Sequence, residues 1–312
     1  MRIRFARYSI IVGLVSAFAP LGAQTTQSAP TYEPYAAAQC SSCAAWMLPE
    51  APRRIFGNTY YVGTHGLSAI LITSDRGDIL IDGAIPAAAD SIMAHVRALG
   101  FRVQDIKLIL NSHAHYDHAG GIAAIQRASG AEVAATKWSA EVLMKGAPIP
   151  GDPQYGILLP YPAATNVRVI ADGDVERVGP LELTSHVTAG HTPGGTTWTW
   201  QSCEGTRCLD LVYADSQTPV SADGFLFTKN DVYPNAIHDF EHGFTTLEEL
   251  PCDILLTPHP EASQFLERLV PSGPNPPKLV DTAACSRLAA TGRDALKRRI
   301  ASEHGARRRD FQ

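Results

Sequence analysis

The stretch IKLILNSHAHYDHAGG, Ile106 to Gly121, constrains this chain more than any other. Its first six residues form a nearly continuous apolar run, which reads as a buried strand. His113, His115, Asp117 and His118 follow at once. In an extended segment alternate side chains share a face, so His113 and His115 point the same way. Asp117 and His118 come where the chain turns toward a helix beginning near Gly120, and so enter the same pocket from another angle. Imidazole nitrogen and carboxylate oxygen are the ligands zinc takes. The C-terminal end of a buried strand is also where open sheets place their sites. Chance alone gives H-x-H-x-D-H in on the order of one chain in a thousand of this composition. The chain is therefore expected to fold around a metal-binding strand end.

One ion needs three or four protein ligands and two ions need about six, so further ligands must come from later loops. His191 in AGHTPGG follows a strand-like run and precedes a Gly-rich turn. His259 in DILLTPHP again lies just past a buried strand. Both are candidate ligands. His65, His95, His186, His238, His242 and His304 have no such setting and read as ordinary surface or core residues.

Strand-like runs TYYVGT, LSAILITS and DILIDGA open the folded region from Asn58. A helix follows with Pro86 in its first turn and Gly100 at its end. GIAAIQRASG reads as a helix closed by Gly130, and AEVAAT as a strand. In the second half VRVI, VERV, LELTSHV, TTWTWQS, LDLVYAD and DILLT read as strands. AIHDFEHGFTTLEEL and a stretch from Arg287 to His304 read as helices. Helices alternating with strand clusters in both halves suggest an α/β (α+β) fold, two packed sheets with helices outside, in one domain.

Residues 1–23 read as a secretory signal peptide. Arg2, Arg4 and Arg7 precede an apolar run ending in small residues at Ala23. The run is shorter than a membrane span needs. Residues 24–57 are expected to form an N-terminal arm and residues 58–312 the folded domain. A net charge of −5 with no basic block argues against a nucleic-acid partner. Six cysteines in an exported chain suggest disulfides. Cys203 and Cys208 could clip a hairpin, and Cys252 and Cys285 could tie the last strand to the C-terminal helix. Cys40 and Cys43 would remain as a third bridge, half a zinc site or a redox pair. The last two are disfavoured by the lack of a second cysteine pair with ligand spacing.

NSHAHYDHAGG, GHTPGGTTWTWQS, VYADS and CDILLTPHP, with the opening FGNTYYVGT, together resemble the metallo-β-lactamase superfamily, and within it class B β-lactamases of the third subclass. The resemblance covers roughly residues 58–286. It implies a four-layer αββα sandwich and two Zn2+ per chain. His113, His115 and His191 would hold the first ion, and Asp117, His118 and His259 the second. Other subclasses place a cysteine in the strand matching VYADSQ, where this chain has Ser216 and no cysteine. The resemblance implies hydrolysis of penicillins, cephalosporins and/or carbapenems by a hydroxide held on zinc, with Asp117 orienting it. Ser216 and Thr218 would contact the substrate carboxylate. Asp82 and Asp215 are candidates for fixing ligand rings, with a turn or cap role as the alternative. The expected partner is a small β-lactam, and the expected form is a periplasmic or secreted monomer with no membrane anchor after leader cleavage.

Two other readings use the same motifs. A glyoxalase-II-like thioesterase or a lactonase would use Asp215 to bridge two metals, if that side chain turned into the site. A zinc-storage protein would close its coordination shells. Three ligands per ion leave a position open, which favours catalysis.

Overall fold

Alternation inside apolar strands builds the layers. The structure, a computed structural model, describes residues 40–269 and 278–309, all within one compact unit. The leader and residues 24–39 of the arm lie outside the described residues. Seven strands form the first sheet in the order β1 (Arg53–Phe56), β2 (Thr59–Tyr61), β3 (Ile70–Ile72), β4 (Asp78–Ile81), β5 (Ile106–Leu110), β6 (Glu132–Thr136) and β7 (Val167–Ile170). The second sheet holds β8 (Val175–Val178), β9 (Leu181–Val187), β10 (Thr196–Glu204), β11 (Arg207–Tyr213) and β12 (Ile254–Leu256), with β12 and β8 at its edges.

The side-chain period of two sorts each apolar run onto two faces. Ile70, Ile72, Ile79, Ile81, Leu108 and Leu110 point between the sheets. There they meet Leu183, Trp198, Leu211, Tyr213 and Leu256 from the second sheet. Leu71, Leu80 and Ile109 point the other way, under the helices Ala89–Ala98, Ile122–Ser129 and Lys137–Lys145. Val212 and Leu255 likewise face Phe240, Phe244 and Leu296 of the helices Ala236–Glu249 and Ala284–Arg309. Strands covered on both faces are near-continuous apolar runs for this reason. The result is the expected αββα sandwich.

The two sheets are also tied by polar contacts. The indole N–H of Trp198 donates to the Asn111 carbonyl at 3.1 Å, and that of Trp200 donates to Thr59 Oγ1 at 3.0 Å. All six cysteines are paired, Cys40–Cys43, Cys203–Cys208 and Cys252–Cys285, so none is left as a metal ligand. Among the described residues no helix is long and apolar enough to cross a membrane.

Three differences from the sequence reading bear on the site. Residues 40–57 are part of the sandwich and not a loose arm: β1 pairs antiparallel with β2, and the short helix Cys43–Trp46 packs beside the site. The helix Lys137–Lys145, capped by Gly146 in the left-handed region at φ 65°, was not anticipated. The short helices Pro260–Ser263 and Phe265–Leu269 follow β12 directly.

Candidate metal centre

Neighbouring strand ends deliver the site. β4, β5, β6 and β7 run parallel, as do β11 and β12. The segments after β4, β5, β9, β11 and β12 carry Asp82, the histidine motif, His191, Asp215 and His259. After β5 the chain turns tightly at two glycines. A Cβ on Gly121 would come within 2.1 Å of the Gly83 carbonyl oxygen, so only glycine lets the motif helix seat against the β4 end. At position 83 φ stays ordinary, but Asp82 itself sits at φ 64°. Its carboxylate accepts from Ser112 N at 2.8 Å, Ser112 Oγ at 2.7 Å, Asn111 Nδ2 at 3.0 Å and the Tyr213 hydroxyl at 2.8 Å. Asp82 thus holds the backbone that launches His113 and touches no ligand ring itself.

The acceptors around each ring select its tautomer. His113 donates Nδ1–H to Asp215 Oδ1 at 2.7 Å, which leaves its Nε2 buried without a partner. His115 donates Nε2–H to Asp152 Oδ2 at 2.9 Å, leaving Nδ1. His191 donates Nδ1–H to the Thr218 carbonyl at 2.8 Å, leaving Nε2. The three rings lie with centroids 4.6 to 5.0 Å apart. One potential ligand atom from each lies within 4.8 Å of the others. Burial holds the His113 ring well below the usual histidine range, reinforced by His118 and His115. Burial and His115 bring His191 down to about 3. Neutral imidazoles with inward lone pairs are what a cation requires, and the one donor near them among the described residues is the Gln154 side-chain amide, 3.3 Å from His191 Nε2. The trio is fitted to hold a divalent metal ion.

A second group adjoins it. Asp117 Oδ2 lies 3.2 Å from His118 Nε2 and 3.2 Å from His259 Nε2. Neither ring nitrogen of His118 has a hydrogen bond of good geometry, although the ring is buried. His259 Nδ1–H points to the Gly66 carbonyl at 3.3 Å. Burial alone would raise the Asp117 carboxyl, but the His118 and His259 rings outweigh it and hold it well below the usual range. All six candidate ligands named from sequence are therefore brought together, as a trio and an adjoining Asp117–His118–His259 group.

Above them opens a cavity of about 340 Å³, with His115, Asp117, His191 and His259 in its lining. Ser216 and Thr218 line it, and Thr218 also orients His191 through its carbonyl. Trp46 forms part of one wall, its ring 5.7 Å from His259, and Ile157, Leu158 and Leu159 form another. Asp215 is fully buried behind His113 and does not line this cavity. Gly195 makes that placement possible, since a Cβ there would come within 2.1 Å of Asp215 Oδ2.

Sequence reasoning missed Asp152, Gln154 and Trp46. Asp152 had a readable signal, being the only carboxylate in the Pro-rich stretch 144–162. Four of the six remaining histidines have ordinary partners. His95 donates to the Val62 carbonyl, His186 pairs with Thr199 Oγ1, His65 lies on Glu50 and His238 lies on Asp239.

Residues 62–265 match the family model described as the metallo-beta-lactamase superfamily. The chain belongs to the metallo-β-lactamase superfamily. Among solved structures it resembles the Rm3 metallo-β-lactamase, at 51% identity over 85% of this chain and 99% of that one, with a TM-score of 0.83. It also resembles MEM-A1, a subclass B3 metallo-β-lactamase from a soil metagenome library, at 43% identity over 84% and 99%, TM-score 0.80. These likenesses place it among the class B metallo-β-lactamases. Two curated relatives are more distant. Hydroxyacylglutathione hydrolase of Rhodospirillum rubrum is 27% identical over 41% of this chain and 41% of its own length. An N-acyl homoserine lactonase of Bacillus cereus is 28% identical over 40% and 54%. The chain thus spans about half the length of the curated relatives it matches.

Proposed function

We propose that this metallo-β-lactamase hydrolyses the amide bond of the β-lactam ring of penicillins, cephalosporins and/or carbapenems, using two zinc ions, in the periplasm or outside the cell. The observation that carries this reading is the donor set: six oxygen and nitrogen ligands, none of them cysteine, at the floor of an open cavity. His113, His115 and His191 would hold one ion, and Asp117, His118 and His259 the other. When bound, zinc lowers the pKa of a coordinated water to about 7 and polarises a carbonyl.

The chain's own residues do the rest. Asp117 stays ionised between two imidazoles and can orient the attacking water as a hydrogen-bond acceptor. The hydroxyls of Ser216 and Thr218 are available to the carboxylate that β-lactams carry. Trp46 and Ile157 to Leu159 give the cavity apolar sides that strip water from the bound ring. Asp215, Asp152 and the Thr218 carbonyl keep three imidazoles in the tautomers described, as outer acceptors do for metal-binding histidine. No serine nucleophile is needed.

Asp215 also bears on the rival thioesterase reading, which needs it to bridge two metals. Its Oδ1 is engaged by His113 from behind, which favours the lactamase. The test is turnover of a penicillin, a cephalosporin and a carbapenem before and after treatment with a chelator. Activity is expected to vanish on chelation and return with zinc. Chelator-resistant turnover would remove the metal mechanism.

A further inference from the structure

The chain from Gly146 to Tyr161 contains no helix or strand, yet it reaches the histidine cluster at three points. Asp152 takes the Nε2–H of His115, with both side chains buried. Gln154 Nε2 stands 3.3 Å from His191 Nε2. The Tyr161 hydroxyl donates at 2.7 Å to the carbonyl of Ala114, which lies between His113 and His115. The same segment then supplies Ile157, Leu158 and Leu159 to the cavity wall.

Its middle is poorly held. Tyr155 is 51% exposed and Ile157 59% exposed. Pro148, Pro150, Pro153 and Pro160 lack an N–H and have fixed φ, so the segment cannot pair as a regular strand. Backbone bonds pin it at two places, Tyr161 N–H to the Gly146 carbonyl and Ala222 N–H to the Pro153 carbonyl, each 2.8 Å. The buried carboxylate of Asp152 is its central fixture. Asp152 Oδ1 also accepts from Gln154 N at 2.8 Å, so one carboxylate grips the histidine with one oxygen and shapes its own loop with the other.

We propose that Asp152 is a positioning residue that couples metal occupancy at His115 to the conformation of the cavity wall 146–161. The inference rests on His115 being a metal ligand. A metal ion on the trio fixes the His115 ring, the fixed ring presents Nε2–H to Asp152, and Asp152 sets the loop that carries Ile157 to Leu159. Coupling of this kind is reciprocal. A loop held in place favours metal binding, and bound metal orders the loop. Without metal, His115 has less to hold it in one rotamer and the wall loosens.

The test uses the whole protein, loaded with zinc or stripped by chelator, and its two readouts do not involve turnover. The first is amide hydrogen exchange over residues 147–160. Wild type is expected to gain protection there on adding zinc. Asp152→Ala is expected to gain none, and Asp152→Asn, whose single oxygen can still accept the His115 Nε2–H while its NH2 cannot accept from Gln154 N, to recover part of it. The second is zinc affinity by competition with a chelator, where Asp152→Ala is expected to bind about 10- to 100-fold more weakly. A merely structural role would lower melting temperature without removing the zinc-dependent difference in exchange. Equal exchange with and without zinc in wild type would overturn the proposal, as would an Asp152→Ala variant that binds zinc as tightly as wild type. If zinc protects the loop but no β-lactam is opened, the coupling stands and only the substrate assignment falls.

Discussion

Replacing Asp82 separates the scaffold of this site from its ligands. The side chain accepts four hydrogen bonds in a fully buried place. In Asp82→Ala, Asn111 Nδ2 keeps a bond to the His113 carbonyl at 2.9 Å. Ser112 N–H and the Tyr213 hydroxyl have no other acceptor among the described residues. Each stranded buried donor costs about 1–3 kcal/mol, so the pair costs about 2–6 kcal/mol. Alanine at φ 64° adds about 1 kcal/mol of backbone strain. A loss of at least 3 kcal/mol is thus expected from a total stability of about 5–15 kcal/mol. Asp82→Asn should behave differently. Asparagine tolerates the left-handed region. Its oxygen can accept from Ser112 N and Asn111 Nδ2. Its amide can donate to the two hydroxyl oxygens, but the Tyr213 O–H is still left without an acceptor. A loss of about 1–3 kcal/mol, smaller than that of Asp82→Ala, is expected. Urea unfolding of the metal-free proteins gives both values. An Asp82→Ala variant within 1 kcal/mol of wild type would refute the reasoning, and so would an Asp82→Asn variant as damaged as Asp82→Ala.

His118→Ala or His259→Ala should lower bound zinc from about two ions per chain toward one, and unchanged metal content measured by mass spectrometry of the holoprotein removes that residue from the site. His191 gives a pH signature in the metal-free protein: the unfolded ring takes up a proton as pH falls through 6.5, while the buried ring resists until about 3. Stability is therefore lost as pH falls between those values, and wild type should lose about 2 kcal/mol more than His191→Gln between pH 7 and pH 5; equal losses in urea titrations count against the burial argument. The Cys252–Cys285 bridge spans 33 residues and Cys203–Cys208 spans five. Replacing both cysteines of a pair by serine should cost about 4 kcal/mol for the longer loop and about 2 kcal/mol for the shorter, and the reverse order in thermal unfolding contradicts the chain-entropy account.

The candidate ligands were legible because each sits where an apolar run stops. Strand ends are local features, and His113, His115, His191 and His259 could be found from them. The partners that aim those rings are not local. Asp152 lies 37 residues from His115 and Asp215 lies 102 from His113, and no periodicity links either pair. Asp215 drew attention only through the resemblance, as a candidate for fixing a ring or bridging two metals. Residues 40–57 looked like an arm because they continue a stretch, 24–52, rich in Ala, Pro, Ser and Gln, that carries no pattern. They are fixed by contacts distant in sequence. Thr64 Oγ1 donates to the Trp46 carbonyl at 2.6 Å, and Gly66 lets Trp46 approach so closely that a Cβ would fall 2.7 Å from its Cα. The helix Lys137–Lys145 did leave a trace, since Gly146 marks its end and Val142 and Leu143 mark its buried face. The left-handed backbone at Asp82 left none.

The central claim is that this cavity opens a β-lactam ring and not another acyl bond. The most direct measurement is kcat/KM of the zinc-loaded protein for a carbapenem, a penicillin and a cephalosporin, set beside a glutathione thioester and an N-acyl homoserine lactone. The account predicts turnover of at least one β-lactam, at least a hundredfold above either the thioester or the lactone. Turnover of the thioester or the lactone with no β-lactam opened would contradict it.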